Sequence, residues 1–193
     1  HDTTAQKLVA AGLYLDSLDR RGPSATQLGE VRRLIAQSLE ELRTFAFLLH
    51  SPKLNDDEFH LILSALIEGF ASRAQLSCDV KIEKTLDRLD FPQRRALYRV
   101  TQEALANIHR HAQASRILAR GGATPNAAFL VIEDDGRGGV RFPALTQFRS
   151  GLGITGMGRH LADLGGSLSI VPKPQGTRLT ASLPLKAVET KVD

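Results

Sequence analysis

The sequence predicts a helical hairpin that pairs with a second copy of itself as a four-helix bundle, followed by a mixed α/β domain. Residues 1–52 have almost no strand pattern and place apolar side chains at the steps of three and four that are typical of a helix. Beyond residue 77, short apolar strands alternate with further helical segments. We therefore predict a helical domain at 1–52, a polar linker at 53–58 and an α/β domain at 59–193.

Composition restricts the classes of protein to which the chain can belong. The 193 residues are 42% apolar and include one cysteine, Cys78, which excludes an internal disulfide and disfavours a cysteine-based zinc site. No apolar run approaches the roughly 18 residues of a membrane span, so we expect a cytoplasmic domain, with any membrane anchor of the parent protein in a preceding segment. The net charge of +4 comes without an arginine-rich arm or an aromatic platform, so we expect no direct binding of nucleic acid.

The helical hairpin is predicted from two stretches of apolar periodicity. Near-heptad steps connect Leu8 to Leu18, and Gly22-Pro23 ends this first stretch. The second stretch repeats the pattern more regularly, at Leu28, Val31, Ile35, Ser38, Leu42, Phe45 and Leu49. Two helices cannot hide an apolar seam of this length, so we predict a homodimer that forms a four-helix bundle. Packing of the hairpin against the downstream domain is the alternative.

Turn residues divide the α/β domain into its predicted elements. A third helix is expected from Phe59 to Ala74, and a short late helix from Arg159 to Leu164. Gly121-Gly122 and Thr124-Pro125-Asn126 are expected to turn the chain between two strands. The apolar patterns predict strands at 78–83, 115–120, 127–132, 167–171 and 177–183.

A long amphipathic helix is predicted to follow an N-cap at Asp90 and to run from Arg94 to Ala112. Its apolar face carries Leu97, Val100, Ala104 and Ile108. A second, polar stripe carries Glu103, Asn107, Arg110 and His111. Because such side chains are costly to bury unpaired, we expect the stripe to face a nucleotide and its metal. The amide oxygen can bind Mg²⁺, the glutamate can hold a metal-bound water, and the last two can contact phosphate. A solvated helix surface is the alternative.

A carboxylate follows the apolar strand that ends at Ile132. In the sequence Asp134-Asp135-Gly136-Arg137-Gly138, the strand brings Asp134 to its own C-terminal end. Gly136 and Gly138 allow a sharp turn against a flat ligand. A carboxylate in an apolar pocket accepts a hydrogen bond from an exocyclic amino group such as that of adenine. A plain hairpin turn is the alternative, because Asp-Gly is a common turn pair.

A second glycine-rich sequence has the spacing G-x-G-x-x-G, at Gly151, Gly153 and Gly156. A dinucleotide fold needs a βαβ unit around this motif, and its late position leaves no room for one. A glycine loop that leads into a helix N-terminus still binds anions, so we expect phosphate contacts here. The preceding segment, 140–150, has little periodicity and is expected to be a mobile loop.

The first residues carry a candidate nucleophile. His1 and Asp2 open a helix, with Gln6 about one turn further on. An acidic neighbour can take the imidazole proton and make the ring nitrogen a nucleophile. The glutamine can position a water molecule. A histidine that only marks the start of an ordered segment is the alternative.

These patterns, in this order, resemble the cytoplasmic core of a bacterial two-component sensor histidine kinase. HDTTAQ is similar to the H-D-x-x-x-Q histidine box of the subfamily that contains nitrate sensors and desaturase thermosensors. QEALANIHRHA resembles the family's N box, and DDGRG, GLGITGM and Gly176-Thr177 resemble its three glycine boxes. The resemblance covers nearly the whole chain. It implies a dimerisation and histidine-phosphotransfer hairpin followed by a GHKL (Bergerat-type) ATP-binding α/β sandwich, a mixed sheet with helices on one face.

The same resemblance implies a phosphotransfer activity and its partners. His1 would accept the γ-phosphoryl group of Mg·ATP and pass it to an aspartate of a response regulator. This regulator would carry a helix-turn-helix output domain. Asp2 would act as the base, Gln6 would position water for phosphatase action, and segment 140–150 would be the ATP lid. Catalysis and Mg²⁺ binding would also involve Glu103 and Asn107.

The cofactor-binding residues implied by the resemblance come from all four sequence boxes of the second domain. They are Asn107, Arg110, His111, Asp134, Gly136, Gly138, Gly151, Gly153, Gly156 and Thr177. Two other functions remain open at this stage. One is a GHKL ATPase or serine kinase of the anti-sigma type, which needs no histidine box. The other is a non-catalytic dimeric adaptor with a relic nucleotide pocket.

Overall fold

Two units, His1–His50 and Ser51–Asp193, make up the chain. The computed structural model describes residues 2–16, 25–49, 52, 54, 58–137 and 154–185. Within these ranges, no helix combines the length and the apolarity needed to cross a membrane.

The first unit consists of two helices, α1 (Asp2–Asp16) and α2 (Ala25–Leu49), which pack against each other. Their small core contains Ala11, Val31 and Leu34. An ion pair between Lys7 and Glu41 joins the two helices at the edge of this core. The described residues therefore form the predicted helical hairpin, with small and medium-sized side chains at its centre.

The predicted apolar seam of α2 divides into two sets of residues. Val31 and Ser38 are buried, and the Ser38 hydroxyl donates to the carbonyl oxygen of Leu34 at 2.9 Å. Phe45 is half-buried. The four residues that repeat every seven positions are exposed, at 42% for Leu28, 39% for Ile35, 50% for Leu42 and 78% for Leu49. We call these four residues the α2 leucine stripe. The hairpin buries only one side of its own seam.

The second unit is a five-stranded sheet with helices packed on it. The strands lie in the order β1-β2-β3-β5-β4, and the β1–β2 pair is parallel whereas the others are antiparallel, so the predicted mixed sheet is confirmed. Its α-helices are α3 (Phe59–Arg73), α4 (Phe91–Asn107) and α5 (Ile154–Asp163). Its strands are β1 (Ser77–Ile82), β2 (Arg116–Ala123), β3 (Ala127–Asp134), β4 (Ser167–Pro172) and β5 (Thr177–Pro184).

The core of the second unit lies between the helices and one face of the sheet. Alternate residues of β3 are buried, which is the pattern of a strand with one covered face. Helix α4 packs on β3 and β5, α3 packs on β1, and α5 packs on β4 and β5. Side chains that are 0% exposed include Phe59, Leu63, Phe70 and Leu97.

The start of α4 agrees with the sequence, but its end does not. The Asp90 carboxylate accepts from the Gln93 backbone N–H at 3.0 Å and the Gln93 side chain accepts from the Asp90 backbone, which forms a capping box. The predicted helix to Ala112 is α-helical only to Asn107, because Ile108–Ala112 form a π-helical turn. Gln113 ends this turn in the left-handed conformation, with φ of 49°.

Three further elements differ from the sequence-based expectation. Gly121-Gly122 lie inside β2 and not in a turn. A Cβ atom on Gly121 would come within 3.1 Å of the Ile82 and Leu86 side chains, so glycine here allows a close approach. Helix α5 begins at Ile154 instead of Arg159. A 3₁₀-helix at Lys84–Arg88, which no periodicity predicts, places Leu86 in the core.

Candidate functional site

A pocket lies between the C-terminal part of α4, with its π-helical turn, and strands β3 and β5. Four of the predicted site residues, Asn107, His111, Asp134 and Thr177, line it together. The remaining lining residues are Ala104, Ile108, Ala112, Ile132 and Leu179. The walls are thus apolar, with an amide, an imidazole, a carboxylate and a hydroxyl as the polar groups. This composition suits a flat, partly polar ligand such as a nucleotide base.

Asp134 is the polar anchor of the pocket, at the C-terminal end of β3. Its side chain is on the buried face of the strand, and the residue is 8% exposed. Its Oδ1 accepts from the Gly136 backbone N–H at 2.9 Å, and the Thr177 backbone N–H also donates to the carboxylate. Burial raises the pKa of Asp134 above its ordinary value, although these two hydrogen bonds oppose the shift.

Two glycines allow the backbone to close around Asp134. A Cβ atom on Gly136 would lie 2.2 Å from the Ala112 carbonyl oxygen, so only glycine fits there. The same carbonyl accepts from the Arg137 backbone N–H at 2.7 Å. Gly176 has φ of +83°, and its Cβ would lie 1.7 Å from the Asp134 carbonyl oxygen. The predicted need for glycine at the turn after β3 therefore has a steric cause in the structure.

The helical wall of the pocket has its own polar contacts. Burial raises the pKa of Glu103, while Arg110 and a hydrogen bond with Asn107 act in the opposite direction. The hydrogen bond with Glu103 thereby orients the Asn107 amide. Of these two residues, Asn107 lines the pocket and Glu103 does not. Burial and the charge of Arg110 lower the pKa of His111, so its ring is neutral at pH 7. His111 can donate a hydrogen bond to a ligand but brings no full charge.

The donor groups fit a nucleotide-borne magnesium ion better than a protein-bound one. Among the residues that the structure describes, no three His, Cys, Asp or Glu side chains come together as a metal-binding group. Mg²⁺ in nucleotide sites takes few protein oxygens and uses phosphates and water for the rest. The amide oxygen of Asn107 can supply one such protein ligand. Arg110 is exposed and does not line the pocket.

Several predicted site residues lie elsewhere or outside the described residues. His1, Gly138, Gly151 and Gly153 are outside them, as is the whole of the predicted lid at 140–150. For Asp2, the structure describes only the backbone, at the start of α1. Gln6 is exposed on α1, and Gly156 lies within α5 and not in a loop before it.

One residue next to the pocket went unassigned in the sequence. Asp135 follows Asp134, and its carboxylate accepts from the backbone N–H groups of Ser115 and Arg116, both at 2.8 Å. The strand alternation could have indicated it, because consecutive residues of a strand point to opposite sides of the sheet.

The fold and the pocket define an ATP-binding domain of the GHKL type. A family model described as histidine kinase-, DNA gyrase B- and HSP90-like ATPase matches residues 93–187, which include most of α4 and all the residues that line the pocket. The Acinetobacter baumannii histidine kinase AdeS has the same fold, with a TM-score of 0.52 at 15% identity over 94% of this chain and 96% of that chain.

Relatives extend the similarity across both units. The sensor histidine kinase MctS of Rhizobium johnstonii is 29% identical over 192 residues, which are 97% of this chain and 42% of that protein. NarS, a sensor histidine kinase of Mycobacterium tuberculosis, is 29% identical over 96% of this chain and 43% of its own length. The kinase/phosphatase UhpB of Salmonella typhimurium is 41% identical over 110 residues, or 57% of this chain and 21% of that protein. Residues 93–187 belong to the histidine kinase-, DNA gyrase B- and HSP90-like ATPase family. Along nearly its whole length the chain is similar to sensor histidine kinases, and it spans less than half the length of these three relatives.

Proposed function

We propose that the chain is the catalytic core of a sensor histidine kinase, which transfers the γ-phosphoryl group of ATP to His1 and then to an aspartate of a response regulator. The observation that carries the proposal is the pocket in which Asn107 and Asp134 line opposite walls. The same chain carries the histidine box HDTTAQ at 1–6. In this proposal, residues 1–52 form the phosphotransfer domain, 53–58 the linker and 59–193 the ATP-binding domain.

The roles of the pocket residues follow from their environment. Asp134 accepts a hydrogen bond from the adenine amino group, because its ionised carboxylate is oriented by two backbone amides in an apolar surrounding. Asn107 binds Mg²⁺, and Glu103 holds the asparagine side chain in place. Mg²⁺ neutralises charge on the transferred phosphoryl group. His111 and Arg110 act toward the phosphates, the first as a neutral donor and the second as a cation.

The glycines and Thr177 complete the proposed ATP site. Gly136 and Gly138 bring the backbone close to the base, and Thr177 lines the pocket beside Asp134. Gly151, Gly153 and Gly156 belong to the segment that closes over the phosphates, with 140–150 as its lid. Backbone N–H groups near a helix N-terminus favour phosphate binding, and α5 begins at Ile154.

The phosphotransfer chemistry is assigned to the start of α1. Asp2 takes the proton from the His1 imidazole, so that the other ring nitrogen attacks the γ-phosphorus and ADP leaves. Gln6, exposed on α1, positions water for hydrolysis of the phosphorylated regulator. The names of two relatives, UhpB and DegS, describe them as both kinase and phosphatase, which supports this second activity. We expect a regulator with a helix-turn-helix output domain as partner.

We propose that the active form is a homodimer. The α2 leucine stripe leaves Leu28, Ile35, Leu42 and Leu49 exposed at heptad spacing. A second hairpin can cover such a stripe by four-helix-bundle packing. Exposed α1 side chains add to this surface, at 47% for Leu8 and 46% for Leu15.

Two substitutions test the two parts of the proposed function separately, ATP binding and phosphorylation of the histidine. Asn107→Ala should abolish Mg·ATP binding and autophosphorylation, because the Mg²⁺ ligand is lost. His1→Gln should keep ATP binding and lose the phosphohistidine. The measurement is equilibrium Mg·ATP binding together with ³²P incorporation from γ-labelled ATP.

Three results would contradict parts of the proposal. Undiminished phosphorylation of the His1→Gln variant would remove the phosphoacceptor assignment. An acid-stable phosphoprotein would favour the serine kinase, because phosphohistidine is acid-labile, and ATP hydrolysis without a phosphoprotein would favour a GHKL ATPase. Absence of magnesium-dependent ATP binding in the unmodified chain would favour the non-catalytic adaptor.

A further inference from the structure

Asp135, the neighbour of the adenine-facing carboxylate, has a complete set of hydrogen bonds away from the pocket. Its Oδ1 accepts from the backbone N–H groups of Ser115 and Arg116, both at 2.8 Å. Its Oδ2 accepts from the Ser115 hydroxyl at 2.6 Å. Burial opposes its ionisation, but these hydrogen bonds outweigh that effect and lower the pKa of Asp135. The ionised carboxylate therefore binds one short backbone segment at several points.

These hydrogen bonds replace the strand pairing where it ends. The last paired residues of β2 and β3 at this end are Ile117 and Asp134. Beyond them, the backbone contact from Asp135 N–H to the Arg116 carbonyl oxygen is long, at 3.3 Å. The Asp135 side chain thus holds the loop after β3 to the start of β2, next to the backbone hydrogen bond from Arg137 N–H to the Ala112 carbonyl oxygen at 2.7 Å. Charge-assisted hydrogen bonds of this kind are stronger than neutral ones.

The segment that Asp135 binds leads directly to the other wall of the pocket. Ser115 lies two residues after Gln113, whose left-handed conformation ends the π-helical turn that contains His111 and Ala112. On the other side of Asp135, the Gly136 N–H donates to Asp134 Oδ1 at 2.9 Å. One side chain therefore connects the end of the helical wall to the peptide that orients the carboxylate.

We propose that Asp135 is a positioning residue of the nucleotide site, which sets the placement of Asp134 relative to the π-helical turn and so the recognition of the adenine amino group. It acts through the backbone of Ser115, Arg116 and Gly136 and does not itself line the pocket. The inference rests on the proposed function, because it assumes that the pocket binds ATP.

The test compares Asp135→Ala with Asp135→Asn in the full chain. An asparagine oxygen can still accept from both backbone N–H groups, and its amide can donate to the Ser115 hydroxyl. We measure equilibrium dissociation constants for Mg·ATP and for Mg·ITP, since inosine lacks the exocyclic amino group. Asp135→Ala should weaken ATP binding about tenfold, as loss of hydrogen bonds to a charged group implies. It should also reduce the preference for ATP over ITP, and Asp135→Asn should restore both.

Asp79→Ala is the matched control for a loss of stability without a loss of positioning. The Asp79 carboxylate accepts from Arg120 at 2.6 Å, also at the level of β1 and β2, and it does not line the pocket. This variant should keep the ATP/ITP ratio of the unmodified chain. If Asp135→Ala fails to fold, Ser115→Ala removes only the 2.6 Å hydroxyl bond and should shift the ratio in the same direction by a smaller factor.

Each outcome bears on the inference or on the function beneath it. An unchanged ATP/ITP ratio in Asp135→Ala overturns the positioning role. If that variant does not fold, an unchanged ratio in Ser115→Ala overturns it instead. In either case, ATP binding by the unmodified chain still upholds the proposed function. An equal shift in Asp79→Ala also overturns it, because the effect would then be one of general stability. Failure of the unmodified chain to bind Mg·ATP overturns both.

Discussion

The two units differ in how much of their apolar surface each buries by itself. In the hairpin, Val31 and Leu34 are 6% and 8% exposed, but Leu49 is 78% exposed. In the second unit, Leu63 and Phe70 on α3 are both 0% exposed. Helix α2 is longer than α3, yet α3 contributes more side chains to a closed core. A regular heptad pattern therefore indicates where a partner is needed, and an irregular pattern can belong to a core that is already complete.

The largest effect that tests this difference is expected for Leu63→Ala. Removing a fully buried leucine side chain should lower the free energy of unfolding of the second unit by about 2–5 kcal/mol. The measurement is hydrogen exchange under native conditions, resolved to each unit. The matched control is Leu42→Ala, where the leucine is 50% exposed.

Leu42→Ala should change the stability of the monomeric chain by only about 0.5 kcal/mol and should raise the dimer dissociation constant. Sedimentation equilibrium measures the second effect. An equal loss of stability in both variants at monomer concentrations would mean that the hairpin core is more complete than its exposures indicate.

A smaller effect, confined to the second unit, is expected for Gly136→Ala. The added Cβ would meet the Ala112 carbonyl oxygen at 2.2 Å, and both partners are backbone, so one must move. Such overpacking costs about 1–3 kcal/mol, and we expect Mg·ATP binding to weaken by about tenfold or more. Isothermal titration calorimetry measures this, with Gly158→Ala on α5 as the control, because a Cβ there meets nothing within 4 Å. Dimerisation should be unchanged in both variants. Loss of the dimer in Gly136→Ala would contradict the assignment of dimerisation to the first unit and of ATP binding to the second.

The smallest effect concerns pH and the buried carboxylate. Because burial raises the pKa of Asp134, this side chain takes up a proton at a higher pH than an exposed aspartate does. Above that raised pKa, the buried negative charge lowers the free energy of unfolding. This loss of stability disappears as the pH falls through the raised pKa and Asp134 becomes protonated. Protonation also removes the negative charge that strengthens the hydrogen bond from the adenine amino group, so Mg·ATP affinity should fall over the same pH range.

Titrations of Mg·ATP and Mg·ITP binding from neutral pH down to the range in which an ordinary aspartate titrates test this expectation. The ATP/ITP ratio cancels pH effects that both ligands share, including protonation of His111 and of the phosphates. In Asp134→Asn the ratio should be independent of pH. A ratio that falls equally in this variant would show that another group titrates.

The sequence predicted the polar residues of the site better than it predicted the backbone that holds them. Asn107 and Asp134 could be identified because an amide and a carboxylate stand out at the ends of apolar segments. The Asp90 cap of α4 is local, and the capping box confirms it. Such features depend on residues within one turn of each other, so a single sequence contains the information.

The features that the sequence did not predict depend on contacts between distant segments. The π-helical turn at Ile108–Ala112 ends against the loop after β3, where the Arg137 N–H donates to Ala112. Gly121 was expected in a turn, but it lies in β2, where the absence of a side chain leaves space for Leu86. Glycine marks a close approach as well as a turn, and only the tertiary structure shows which of the two applies.

The hydrogen bonds that orient Asp134 come from main-chain amides, at Gly136 and Thr177. A main-chain amide is present whichever amino acid occupies the position, unless that amino acid is proline. At Thr177, most substitutions would therefore leave the donor in place, while at Gly136 the steric limit forbids them. Small side chains that fit this buried, pocket-lining position should accordingly be accepted at Thr177, and no side chain should be accepted at Gly136. A selection for ATP binding from a library randomised at both positions would reveal this asymmetry.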